Sequence, residues 1–205
     1  LVIPMRDTAG TLHSLQTIVP DGSKRFLPGG KVKGCYHAIG KPTGPDGALI
    51  VCEGYATGAT AHEATGDPVA VAFNAGNLEA VALALRAKYP AARLIVAADD
   101  DYQTAGNPGS TKATAAALAV GGLLAVPDFG ADRPDKATDF NDLHRSAGLE
   151  AVRRCIEAAA MPGAVAGDWP EPTPLPDALP AVQPFDADLL PEALRGWVMD
   201  IAHRM

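Results

Sequence analysis

Leu49-Ile50-Val51-Cys52-Glu53-Gly54-Tyr55-Ala56-Thr57-Gly58 passes from an uninterrupted apolar run into a carboxylate and then a glycine-spaced turn. A short apolar run bounded by a turn signal reads as a buried strand, and the residues from Ala56 to Glu63 favour a helix. Glu53 therefore stands at the carboxyl edge of a strand, where an open α/β sheet keeps its chemistry. Downstream the same texture repeats, apolar strand, small-residue helix, apolar strand, which is the βαβ rhythm of a parallel sheet. Strands are expected at 49–52, 69–73, 94–98 and 123–126, and helices at 56–65, 78–88, 110–120 and 149–160. The fold class expected is α/β, a parallel sheet flanked by helices.

The strand at 94–98 also ends in acid, Asp99-Asp100-Asp101. Side chains two apart on a strand point the same way, so Asp99 and Asp101 can converge while Asp100 faces away. Three adjacent carboxylates at a buried strand end are costly unless cations neutralise them, and hard oxygen ligands suit Mg²⁺ or Mn²⁺. An acid closing one parallel strand and a pair closing a neighbour can share one crevice. That combination is what phosphoryl transfer requires, metal ligands beside a group that handles a proton. Taken singly, Glu53 also reads as a carboxylate complementing a helix N-terminus, and the aspartates as a solvated loop.

Upstream, residues 1–42 alternate apolar and polar residues in short runs broken by Asp-Gly and Gly-Gly, the pattern of antiparallel hairpins. The clearest pair is 12–19 with 23–27, joined through Pro20-Asp21-Gly22. Arg6, Lys24, Arg25, Lys31, Lys33 and Lys41 face only Asp7 and Asp21 here, so a chain of net charge −7 begins with a basic segment. Such lysines protect sheet edges or, with Phe26 and Tyr36 among them, track a phosphate backbone.

With 205 residues, 47% of them hydrophobic, the chain suffices for one α/β domain and appendages. Cys35, Cys52 and Cys155 lie far apart without CxxC spacing, which suggests neither a disulfide framework nor a zinc site and fits a reducing cytoplasm. No apolar run is long enough for a membrane span. Gly54 and Gly58 lack the Gly-Lys-Ser/Thr ending of a Walker loop. Because the chain starts at Leu1, it is expected to be a piece of a longer protein.

Glu-Gly at one strand end followed by Asp-x-Asp at a later one resembles the Toprim domain of bacterial primases, topoisomerases and some nucleases, over roughly residues 48–143. More narrowly, Glu53-Gly54-Tyr55-Ala56-Thr57, Phe73-Asn74-Ala75-Gly76-Asn77-Leu78, Asp99-Asp100-Asp101 and Asp139-Phe140-Asn141-Asp142 resemble primases of phages, plasmids and other mobile elements. The resemblance implies a Rossmann-like Toprim sheet and synthesis of RNA primers on single-stranded DNA from nucleoside triphosphates, with Mg²⁺ or Mn²⁺. It makes Glu53 the general acid/base, Asp99 and Asp101 the metal ligands, and Asp100 a third candidate because the register of the acids is ambiguous. Gly54, Asp139, Asn141 and Asp142 would lie at the nucleotide, although Asp139-Phe140-Asn141-Asp142 reads equally as a turn capping the next helix. Lys112 and Lys136 are candidates for phosphates or plain surface lysines. Lys24, Arg25, Lys31 and Lys33 would guide the nucleic acid. Phosphodiester cleavage by a Toprim nuclease or topoisomerase, and a non-catalytic nucleic-acid-binding module, remain the alternatives.

The implied organisation is a basic β-hairpin region at 1–42, a Toprim domain at 43–161, a proline-rich linker at 162–190, and at 191–205 the start of a further domain or a docking helix. Leu194, Trp197, Val198 and Ile201 fall on one face of that helix. The partner expected for it is a helicase-like domain, in the same chain or in a replication complex.

Overall fold

The computed structural model describes residues 1–163 and 186–204, in two compact units, Leu1–Val165 and Ala166–Met205. The first unit opens with β1 (Val2–Arg6), β2 (Leu12–Ile18) and β3 (Lys24–Phe26), an antiparallel sheet in that order. Gly22, at φ 83°, and the Asp21 carboxylate, which accepts from the Ser23 amide at 2.8 Å, shape the turn between β2 and β3. Ile18 pairs with Lys24, Thr17 with Arg25 and Gln16 with Phe26. Strand alternation thus puts Lys24 and Phe26 on one face and Arg25 on the other.

A second sheet follows from β4 (His37–Ile39), β5 (Ala48–Cys52), α1 (Tyr55–Thr65), β6 (Val69–Val71), α2 (Leu78–Lys88), β7 (Arg93–Ala97), α3 (Pro108–Ala119), β8 (Leu123–Ala125), α4 (Phe140–Ala147) and α5 (Leu149–Glu157). Its five strands run in the order β4-β6-β5-β7-β8, all parallel except β4, which is antiparallel to β6. The central strands are covered on both faces, which explains why they read as continuous apolar runs. Ile50, Cys52, Val69, Val71 and Ile95 pack with α1, α4 and α5, while Leu49, Val51, Leu94 and Val96 pack with α2 and α3. Gly58 lets α1 lie close to the sheet, since a Cβ there would stand 2.8 Å from Val71 Cγ2.

The expected strands and helices recur with small shifts, and two differences have local causes. The last helix stops at Glu157 because Ala160 is drawn to the open edge of β8, where the Leu124 amide donates to its carbonyl at 2.8 Å. Residues 140–147 form a separate helix, α4, divided from α5 by Gly148 at φ 82°. In addition, His37–Ile39, inside the stretch expected as the hairpin region, lies on the edge of the larger sheet.

In the second unit, Ala187–Leu189 form a 3-10 turn and α6 spans Glu192–Arg204. Leu194, Trp197 and Ile201 are exposed there. The prolines from Pro170 to Pro184, expected as linker, lie outside the described residues. No described helix is long and apolar enough to cross a membrane.

Candidate active site

Glu53 follows the last residue of β5, and α1 begins at Tyr55 with Gly54 as its N-cap, without a side-chain cap bond. The acid therefore stands before the cap instead of filling it. On the neighbouring strand Phe73 adopts φ 72°, rare for a bulky residue. The Phe73 amide donates to the Glu53 carbonyl at 2.8 Å, which keeps this turn beside the end of β5, with the Ala75 amide near the Glu53 carboxylate. Asn77 secures the turn. Its buried side chain donates to the Ala72 and Cys35 carbonyls at 2.8 and 3.0 Å and accepts from the Gly34 amide at 2.8 Å.

Cys52 of β5 pairs with Ala97 of β7, so the acids that follow the two strands meet at one edge of the sheet. Burial and then the Asp101 charge raise the pKa of Glu53, against the pull of the Ala75 amide and Lys24. Asp99 is pushed up to about 8, by burial first and then by Glu53, Asp139 and Asp101, with Lys24 opposing. Its Oδ1 is buried without a hydrogen-bond partner. Asp101 Oδ2 accepts from the Gly109 amide at 3.1 Å in the first turn of α3. That approach needs glycine, since a Cβ at 109 would stand 2.6 Å from the Asp99 carbonyl and 2.8 Å from Asp101 Oδ2.

Asp100 turns elsewhere. Its Oδ2 accepts from Arg133 Nη1 at 2.5 Å and its Oδ1 from Asn107 Nδ2 at 2.6 Å. Both oxygens are thus occupied by the protein, and Asp99 and Asp101 are left to face the crevice. Arg133 escapes sequence reading because it is an isolated arginine in a loop, its partner 33 positions away.

Asp139 caps the next helix, as one of the two readings of its segment expected, and also lies close enough to act on Asp99. Its Oδ1 accepts from the Asp142 amide at 2.8 Å as the N-cap of α4, while its charge falls on Asp99. Its Oδ2 accepts from Thr57 Oγ1 at 2.9 Å, and Asn141 Oδ1 accepts from Thr60 Oγ1 at 3.3 Å, so two threonines of α1 hold this segment in place. Asp142 is used internally, accepting from the Thr138 amide at 3.0 Å. Sequence reading missed both threonines; their i, i+3 spacing directly after Glu-Gly is the signal that could have found them.

The basic residues divide. Lys24 comes within 4.0 Å of the place a Gly54 Cβ would take, and its charge acts on both Glu53 and Asp99. Phe26, on the same face of β3, meets Phe73 edge to face at 6.3 Å and holds the hairpin to the strand end. Arg25 is on the other face, Lys31 and Lys33 are exposed before β4, and Lys112 is exposed on α3. Lys136, at φ 61°, lines an open cleft of about 520 Å³ with Asp142 and Arg145.

Among the described residues no three His, Cys, Asp or Glu side chains are gathered as a ready metal cage. Mg²⁺ does not need one, because it keeps several waters and binds through one or two carboxylates. Asp99 Oδ1, a buried hard oxygen without a partner, among acids whose mutual repulsion a cation would relieve, fits that requirement.

Residues 48–150 match the Toprim domain family. Two proteins of Escherichia coli, each described as DNA primase TraC, are 42% identical over 182 residues and 41% over 170. These matches cover 81% and 77% of this chain, which spans only 12% and 16% of the relatives' lengths. Among solved structures, the primase fragment of the bacteriophage T7 primase-helicase protein superposes with TM-score 0.55 at 18% identity, over 76% of this chain and 61% of that one. The zinc-binding and RNA polymerase domains of the Aquifex aeolicus primase give 0.51 at 20%, over 78% and 40%. At those identities the likeness is one of fold. The chain belongs to the Toprim domain family.

Proposed function

We propose that this Toprim-family chain is the catalytic core of a DNA primase, joining nucleotides into RNA primers on single-stranded DNA. One observation carries the reading: the acids that follow the paired strands β5 and β7 meet at one sheet edge, where Asp99 Oδ1 is buried without a partner, and Lys24 of the hairpin lies beside Gly54 there. The extent of identity to the TraC primases supports the same choice.

Glu53, its pKa raised by burial, accepts the proton of the attacking 3′-hydroxyl as the new bond to the α-phosphorus forms and pyrophosphate leaves. Asp99 and Asp101 would hold Mg²⁺ or Mn²⁺, which would supply neutralisation of the phosphate charge. Asp139 stands behind Asp99, tied to α1 through Thr57. Gly54 keeps the approach to Glu53 open, and Lys24 meets the phosphates of the nucleotide. Arg25, Lys31 and Lys33 attract the template strand from the outer hairpin surface. Lys112, Lys136, Asn141 and Asp142 belong to the same reading as contacts for the nucleotide and its phosphates. The division into a basic hairpin region, a Toprim domain, a linker and a terminal docking helix for a helicase-like partner belongs to the same reading.

A primer-synthesis assay on single-stranded DNA with labelled nucleotides and Mg²⁺ or Mn²⁺ tests it. Wild type is expected to form dinucleotides and short primers, and Glu53→Gln and Asp99→Asn to lose at least ~10²-fold. Metal-dependent cutting of DNA without any dinucleotide would replace this function with nuclease chemistry.

A further inference from the structure

We infer that Arg133 is a positioning residue that sets the metal-binding geometry of the acidic crevice by clamping its two halves together. The inference rests on the metal-holding role proposed for Asp99 and Asp101.

The guanidinium uses its whole fork. Nη1 donates to Asp100 Oδ2 at 2.5 Å, Nη2 to the Asp100 carbonyl at 3.0 Å and to the Ala137 carbonyl at 2.6 Å, and Nε to the Ala137 carbonyl at 2.9 Å. It thereby joins the segment carrying Asp99 and Asp101 to the one carrying Asp139. The Asp100 amide donates to the Thr138 carbonyl at 2.8 Å and completes the same bridge. Two rings enclose the cation, Tyr102 at 3.8 Å and Phe129 at 4.7 Å from Cζ. A planar, stacked, forked donor of this kind is one that lysine replaces only in part, through its charge.

The strut has a direct consequence for the crevice. With Asp100 committed to Arg133 and Asn107, the backbone on either side of it is fixed, while the Asp101 carboxylate turns to the Gly109 amide and Asp99 Oδ1 stays buried and unpartnered. Loss of the strut would let Asp100 compete for the site and let Asp139 drift from Asp99. Outer groups that orient metal ligands are commonly worth about 10- to 100-fold in affinity.

The test is Mn²⁺ titration followed by electron paramagnetic resonance on the full 205-residue chain, with near-ultraviolet circular dichroism to show native packing. Arg133→Met is expected to weaken Mn²⁺ binding about tenfold or more, Arg133→Lys to recover part of that loss, and Asp100→Asn to behave like Arg133→Met. The double variant is expected to be no weaker than Arg133→Met alone, since the two substitutions break the same Arg133–Asp100 side-chain contact. Should Arg133→Met fail to fold, Asp100→Asn and Arg133→Lys carry the same test. A folded variant that binds Mn²⁺ as wild type does, with only its melting temperature lowered, overturns the inference, as does a wild type that binds no Mn²⁺. A chain that binds Mn²⁺ through this strut yet makes no primer leaves the inference standing and sinks the primase reading instead.

Discussion

The Thr57 hydroxyl donates to the Asp139 carboxylate at 2.9 Å, across 82 positions of sequence. This bond ties the first turn of the helix after Glu53 to the cap of α4, so the segment bearing Asp139 is fastened to the segment bearing Glu53.

Asp139 carries a structural duty and an electrostatic one, and two substitutions separate them. Asp139→Ala removes the N-cap and is expected to cost about 1 kcal/mol of stability. Asp139→Asn keeps the cap, since asparagine caps as well as aspartate, but removes the charge. It is expected to keep the melting temperature within a few degrees of wild type while lowering primer synthesis. Thr57→Val should do the reverse, costing roughly 1–3 kcal/mol by removing a part-buried hydrogen bond to a charged acceptor. If Asp139→Asn is as active as wild type, the Asp139 charge has no part in the chemistry.

Asp99 predicts an unusual pH dependence in the absence of metal. Its pKa rises from an ordinary 3.8 to about 8 on folding, so between those values the unfolded chain has released a proton that the folded chain still holds. That contribution to stability is complete below the unfolded value and is lost as pH climbs through the folded one. In EDTA the melting temperature should therefore fall from pH 5 to pH 8. Asp99→Asn should flatten the fall and be the more stable protein at the upper end, though inactive. Mg²⁺ should restore most stability at high pH, where it no longer competes with the proton. A wild-type profile in EDTA that rises over this interval would contradict the buried, crowded state of Asp99.

What could be read from the sequence follows physical lines. A strand covered on both faces shows as an apolar run, so the expected strand at 49–52 meets β5 (Ala48–Cys52), and acids at such ends mark the crevice. The three residues of β4 have no period to show, and they become a strand only because β6 offers an edge. Helix α4 was hidden because its eight residues bury only Phe140 and Leu143, and the segment reads as a cap for whatever follows. Arg133 and Lys24 acquire their roles from chain segments brought together by folding, and no local spacing records that.

Lys24 and Arg25 are adjacent in sequence and opposite in consequence. Lys24→Ala removes the cation that holds down Glu53 and Asp99, so the acidic limb of the pH–rate profile should move to higher pH and kcat/KM fall roughly tenfold, the scale of a lost charge-assisted contact. Arg25→Ala, on the other face of β3, should leave that limb in place. It should instead reduce the salt slope of DNA binding by about one unit. Equal shifts of the limb in both variants would rule out the assignment of the two faces.

Gly109→Ala reverses a usual rule. In a helix, alanine for glycine is ordinarily worth about 0.5–1 kcal/mol in favour of folding. At position 109 the added Cβ would stand 2.6 Å from the Asp99 carbonyl and 2.8 Å from Asp101 Oδ2. The carbonyl is backbone, two residues past the end of β7, and cannot rotate away, so α3 or the acidic loop must shift. The expected result is destabilisation of about 1–3 kcal/mol, which for a chain of this length lowers the melting temperature by several degrees. Because the Gly109 amide also holds Asp101, the same shift should weaken Mn²⁺ binding. Loss of stability with unchanged Mn²⁺ affinity would mean that α3 yields while the acids stay. A rise in melting temperature would show that α3 does not lie as close to the acids as the Gly109–Asp101 bond requires.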